Sequence, residues 1–385
     1  MAEIALVLDA NISSDMLGQV EMLAKGLNDS SDLKARIVVW GPVEWGCAVI
    51  RRFGKLRTGG QETRRGIRVF QLPGPRGLAG LDVLDVTRSE ALAGCDLLHC
   101  FSLSLVNVLL SVAARMRRPA WCLSLSCWPG QKLIRKLTRQ SAWLPQRIIC
   151  FTDALQEALL QGGVSAQRCT VISPEPPIQQ KSPGRLAARK QLNLSEDIEL
   201  LLADSEISCS SNQRQLTWAA AIIGQFRPRL RILMGGSDGR LARVRAFDDS
   251  LNPPSLGIYP QEQFEPEALY GASDMLVLPA TGPISPLPLL RAGRSRLPVV
   301  ASDSPAFREY LSHEVNALLF SPNRHTPGDR TRQRIRPLAS AIVRLLEDRG
   351  LAQRLGEELG QDIEQLFARG RALPAHLELY QQILG

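Results

Sequence analysis

The sequence predicts an α/β protein built as two doubly wound halves, and three observations predict it. Short apolar runs alternate with amphipathic stretches from end to end, the pattern of βα units that assemble parallel sheets. A chain of 385 residues exceeds one ordinary core at roughly 150 residues per domain. One segment near the middle, SPEPPIQQKSPG at 173–184, carries four prolines and sustains neither a helix nor a central strand. The domains expected are therefore 1–175 and 176–370, with 371–385 a helix that packs back on the first half.

In the first half, strands are predicted at 3–9, 36–40, 67–71, 96–101, 119–125, 147–151 and 168–172. Between the first two, Met16, Val20, Leu23 and Leu27 recur at helical spacing and mark one buried face over 16–27. After the proline-rich break the pattern restarts, with strands at 198–203, 230–234, 256–258, 274–279, 297–301 and 317–320 and helices at 212–225, 262–271 and 286–293. Residues 335–384 read as helix throughout, and the closing LPAHLELYQQIL suits a helix crossing back. Sheets of this kind bind ligands beyond the carboxyl ends of their strands.

With 44% hydrophobic and 22% charged residues, the composition is that of a globular protein and excludes a disordered chain. No stretch approaches the roughly 18 apolar residues of a membrane span. The opening MAEIALVLDA is too short and too acidic for a secretory signal, so a cytoplasmic location is expected. Eight cysteines sit mostly in apolar runs without a CxxC pair, which points to reduced, buried thiols. A metal site of His99 with Cys122 or Cys127 lacks ligand spacing, and no metal is expected.

A net charge of +8 favours anionic partners. Residues 130–143 place Lys132, Arg135, Lys136 and Arg139 on one helical face, and the loop 51–68 adds further charge. Such a helix suits peripheral contact with an anionic membrane at its inner face, or simply a solvated surface. Nucleic acid is set aside as a partner, since aromatic residues make up only 5% and do not interleave with the basic ones.

Three motifs resemble a known family. Asp96-Leu97-Leu98-His99 opens like its "DvvH" strand, and IICFTDALQEALLQGGVSAQRCTVI at 148–172 is similar to its "viavS..l" segment. The segment 269–322, from LYGASDMLVLP through LPVVASDSPAFREYL to NALLFSP, follows its donor-side pattern step by step. The chain thus resembles the GT-B glycosyltransferases, specifically the retaining family 4 group. The resemblance implies two Rossmann-like domains with a nucleotide-diphospho-sugar as donor substrate in the second. A glycan or lipid-linked acceptor would lie in the first, with no cofactor.

The chain departs from the family pattern where the chemistry lies. Two glutamates seven residues apart flank the donor in the family, and Pro283 and Arg291 stand in their places. Asp204 occupies the place of the phosphate-binding arginine, and Ser211 or Asn212 that of the lysine. A carboxylate at about 4 Å from a phosphate charge costs about 4 kcal/mol at an effective dielectric of ~20. The glycine loop before the first helix corresponds to Ser13–Leu17, with Gly18 one step late, and a family histidine is replaced near Ser126 or Cys127.

The candidates that remain for the donor are Gly235 and Gly236 in a turn after a strand, Thr281, Gly282 and Ser285 in a loop, Arg214 as a substitute cation, and Arg291. Arg291 reads either as a solvated helix residue or one paired with Asp303 or Glu309, or as part of a rebuilt phosphate fork with Arg294 and Arg296. His99 is the candidate catalytic residue, with a structural hydrogen-bonded histidine as the alternative. Two functions compete on this evidence: sugar transfer from a nucleotide sugar, or an inactive glycosyltransferase relative that binds a glycan or a partner protein.

Overall fold

The computed structural model describes residues 2–10, 12–30, 32–41, 48–53, 56, 61–72, 90–106, 120–139, 144–176, 183–204, 212–234, 239–251, 264–322, 332–367 and 370–385. It forms two compact units, Met1–Glu175 with Gly370–Gly385 and Pro176–Arg369. Each encloses its own apolar core.

The first unit carries β1 (Ala2–Asp9), β2 (Leu33–Trp40), β3 (Gln61–Arg64), β4 (Ile67–Leu72), β5 (Leu97–Cys100), β6 (Ala120–Leu125), β7 (Arg147–Cys150) and β8 (Cys169–Val171). They lie in the order β3-β4-β2-β1-β5-β6-β7-β8, so the chain winds outward from β1 in one direction and then the other. Apart from β3, every neighbour is parallel. The unbroken apolar run IALVL of β1 is fully buried, as a strand covered on both faces demands.

β3 falls in the basic stretch that the sequence presents as a loop. It pairs antiparallel with β4 through a turn in which Arg65 and Gly66 both take positive φ, 52° and 78°, the twist that a two-residue hairpin needs. Its four residues, Gln-Glu-Thr-Arg, carry no apolar alternation because an edge strand is protected by polar side chains. A helix, Ala48–Phe53, precedes it.

The second unit carries β9 (Glu199–Ala203), β10 (Leu230–Met234), β11 (Met275–Leu278), β12 (Val299–Ser302) and β13 (Leu318–Phe320). The order is β10-β9-β11-β12-β13, all parallel. The strand expected at 256–258 lies outside the described residues. Helices Gln213–Gly224, Pro266–Ala272 and Leu287–Arg294 fall on the expected segments.

The long C-terminal helical pattern divides into Arg332–Glu347, Arg349–Phe367 and Ala372–Leu384, with Gly370 at φ 50° before the last. A Cβ at Gly356 would fall 2.2 Å from the Arg296 carbonyl oxygen, so only glycine lets its helix meet that turn. The last helix belongs to the first unit, where Leu373 packs so closely on Gly26 of the Ser14–Asp29 helix that a Cβ there would lie 2.4 Å away. Among the described residues, no helix is long and apolar enough to cross a membrane.

Candidate functional site

In both sheets the winding reverses beside the first strand of the unit, between β1 and β5 and between β9 and β11. Doubly wound sheets place their ligands beyond the carboxyl ends of such a strand pair. In the second unit this position is bordered by Asp204, which follows β9, and by the loop 279–286, which follows β11.

That loop gathers three of the expected donor-binding residues. Thr281 is exposed, Gly282 and Ser285 are half-buried, and Ile284 is anchored in the interior. Asn212 reaches across from the start of the Gln213–Gly224 helix, donating from its amide to the Pro279 carbonyl at 2.9 Å and to Thr281 Oγ1 at 3.3 Å. Its backbone takes the left-handed conformation, φ 55°, which asparagine tolerates better than most residues. Ser285 Oγ accepts from the Leu287 N–H at 3.4 Å and so helps start the next helix, while Ser302 donates to the Ala280 carbonyl and ties the loop to β12. The result is a fixed rim of hydroxyl, amide and glycine backbone. Gly235 and Gly236 lie outside the described residues.

The charged candidates are placed differently. Arg291 is 7% exposed, and its guanidinium lies 3.1 Å from Glu267 Oε1 and over the Tyr270 ring at 5.7 Å. Burial lowers its pKa to about 9, which still leaves it charged at neutral pH. Asp303 is bound by Arg308, and Glu309 is exposed at the end of the Pro305–Arg308 helix. A phosphate fork of Arg291 with Arg294 and Arg296 does not suit the direction of the helix. The Leu287–Arg294 helix runs back toward the amino end of β12, so its last residues lie at the opposite edge of the sheet from the candidate site. Arg214 is laid over the Phe247 ring at 4.5 Å.

Asp204 is bound by Tyr270, whose hydroxyl donates to its Oδ2 at 2.6 Å and also lies 3.1 Å from the Pro288 carbonyl oxygen. A phenol has one proton, and the shorter contact, to Asp204, takes it. Burial raises the Asp204 pKa, and the Tyr270 hydrogen bond acts in the opposite direction. Glu267 and Tyr270 were not singled out in the sequence. Their three-residue spacing on one helix face was the available signal.

In the first unit, His99 is completely buried. Tyr380 of the terminal helix holds its Nδ1, and Ser124 Oγ lies 2.7 Å from its Nε2. Burial drives its pKa well below the usual histidine value. With both nitrogens committed inside the core, His99 fastens the terminal helix to the sheet, which corrects its assignment as catalytic residue. The segment matched to a glycine loop is also different: Ser13 caps the first helix, its side chain accepting from Met16 N–H, and Ser14–Leu17 are already helical. Among the described residues no disulfide forms, and no three His, Cys, Asp or Glu side chains are grouped to hold a metal.

Two parallel α/β units with these strand orders define the class, a GT-B fold. Residues 207–348 match the family model described as glycosyl transferases group 1. No curated protein sequence matches the chain. Among solved structures, HepE from Anabaena in complex with UDP and glucose aligns at TM-score 0.73 and 17% identity, covering 99% of this chain and 100% of that one. Sucrose-phosphate synthase from Thermosynechococcus elongatus aligns at 0.69 and 18%, covering 100% and 99%. A glycosyltransferase from Rickettsia africae aligns at 0.66 and 14%, covering 100% and 98%. The protein has the GT-B fold, and the stretch that matches the group 1 glycosyl transferase model lies in its second unit.

Proposed function

We propose that the protein transfers a sugar from a nucleotide-diphospho-sugar to a glycan or lipid-linked acceptor, with the donor seated at the 279–286 rim of the second unit. The observation that carries this is the placement of Thr281, Gly282, Ser285 and Asn212 together at the strand reversal of a group 1 domain. The similarity to HepE, whose structures hold UDP or UDP-glucose, supports a uridine donor. Donor hydroxyls would meet Thr281 and Ser285, and the diphosphate would meet backbone amides at the amino end of the Gln213–Gly224 helix, where the helix dipole favours negative charge.

A second reading, a non-catalytic relative that binds a glycan or a partner, is favoured by one specific observation. Arg291 and Arg214 are engaged with Glu267 and Phe247, and the positions of both family glutamates hold other residues. Titration calorimetry with UDP, UDP-glucose and GDP separates the two. Transfer requires a nucleotide that binds and is displaced by Thr281→Val with Ser285→Ala, whereas silence with every nucleotide overturns it.

The basic helix contributes a further expectation. Gln131–Leu137 buries Ile134 and Leu137 and exposes Lys132, Arg135 and, just beyond it, Arg139. This supports peripheral contact with an anionic surface, as an enzyme acting on a lipid-linked acceptor would need. Co-sedimentation with vesicles containing anionic lipid at low salt tests it, and loss of the pellet fraction in a Lys132→Glu, Arg135→Glu variant is expected.

A further inference from the structure

An open groove of about 560 Å3 crosses the second unit between the end of the Gln213–Gly224 helix and the later turns of the Arg332–Glu347 helix. Leu216, Ala219, Ala220 and Ile223 of the first helix are turned into the core, where they join Leu338 and Ile342 of the second. Ile222 therefore falls on the outer side, 41% exposed, and Phe226, just past the helix end, is 60% exposed. Ala339 and Val343, four residues apart and half-buried, supply the wall from the other helix. Apolar side chains grouped on a surface in this way mark a contact site, whereas scattered ones do not.

The rim carries both signs of charge. Arg344 and Glu347 line the groove one helical turn apart, and both are exposed. Each stands in a surface ion pair, Arg344 with Glu314 and Glu347 with Arg227 at 3.3 Å. Exposed pairs of this kind hold weakly, so both charges are free to exchange partners. One face thus presents a projection, Phe226, a recess, the groove, and a cation beside an anion. A face that carries both halves of a fit is complementary to itself, which is what a two-fold contact requires.

We propose that this face binds a second copy of the chain about a two-fold axis. Phe226 of each copy enters the groove of the other against Ala339 and Val343, and Arg344 of each meets Glu347 of the other. The contact lies at the amino edge of the sheet: Phe226 closely precedes β10, and the neighbouring Arg227 binds Glu199, the first residue of β9, at 2.6 Å. Pairing there leaves the donor rim, beyond the carboxyl ends of the strands, open to its ligand.

Sedimentation velocity on the full chain at rising micromolar concentration provides the test. The native chain should sediment as a monomer–dimer equilibrium, and Phe226→Ser, at an exposed position outside the core, should weaken the dimer at least about tenfold. Arg344→Glu and Glu347→Arg should each be monomeric alone. Mixing these two variants should restore a dimer of one copy of each, because both charge contacts then join opposite signs. A native chain that stays monomeric, a dimer that Phe226→Ser leaves unchanged, or charge variants that do not pair on mixing each overturns the proposal, since the face then meets a different partner or none.

Discussion

The two units solve the same problem with the same device and then differ in what it supports. In each, an aspartate just before the strand at the reversal accepts from the first turn of the neighbouring strand. Asp96 ahead of β5 takes the Glu3 N–H at 2.9 Å, and Asp274 ahead of β11 takes the Leu200 N–H at 2.7 Å. Asp96 stands near solvent, but Asp274 also pairs with Arg189, 1% exposed, at 2.8 Å and with Arg185 at 2.6 Å. One motif letter thus marks a surface clasp in one unit and an interior anchor in the other.

The widest gap is expected there. Asp274→Ala leaves the Arg189 guanidinium buried without its counter-ion, a loss of about 3–5 kcal/mol by denaturant unfolding. Asp96→Ala removes one exposed hydrogen bond and should cost only about 0.5–1.5 kcal/mol. Equal costs would break the comparison.

The Arg291–Glu267 pair sharpens it. Glu267→Ala should destabilise the second unit by about 3 kcal/mol, because the cation stays behind in the interior, whereas Glu267→Ala with Arg291→Leu should recover most of the loss. Additive damage in the double variant would show that the two side chains act separately.

Acid separates the units in a third way, because His99 and His376 both lie in the first. Their folded pKa values are depressed, so between the unfolded value near 6.5 and the folded one the unfolded chain binds protons that the folded chain refuses. Stability present above about pH 6.5 is therefore lost as pH falls, by up to about 1.4 kcal/mol per pH unit for each histidine. For His376 the loss levels off near pH 4. Unfolding midpoints from pH 7 to pH 5 should fall for the native chain and fall less in His376→Gln.

The smallest effect is expected at Asp204. Asp204→Asn keeps an oxygen that accepts from the Tyr270 hydroxyl, so it should change stability by less than about 1 kcal/mol in denaturant unfolding. A loss above about 2 kcal/mol would mean that the carboxylate charge itself supports the second unit.

Much of the architecture was legible because burial on both faces of a parallel strand writes itself as a continuous apolar run, as in LLLA of β9 or VVA of β12. β3 was not legible, since an edge strand of four polar residues has no such signature. The loop 279–286 was found by motif order, but its tie to Asn212 was not, because that contact spans 67 residues.

By itself the sequence determined the class of fold and the division near 175, and it presented Pro283, Arg291 and Asp204 where the resembled pattern has other residues, all of which depend on residue type and local order. Only the tertiary structure decided what the substitutes do. Arg291 could face a ligand or an interior carboxylate with the same helix around it, and the choice came from Glu267 on a separate helix. His99 ends a strand in either role, and a hydroxyl 281 residues away, on the last helix, made it structural. Charge and hydrogen-bonding capacity are written in the chain, but the partner that consumes them is fixed by packing between segments remote in sequence.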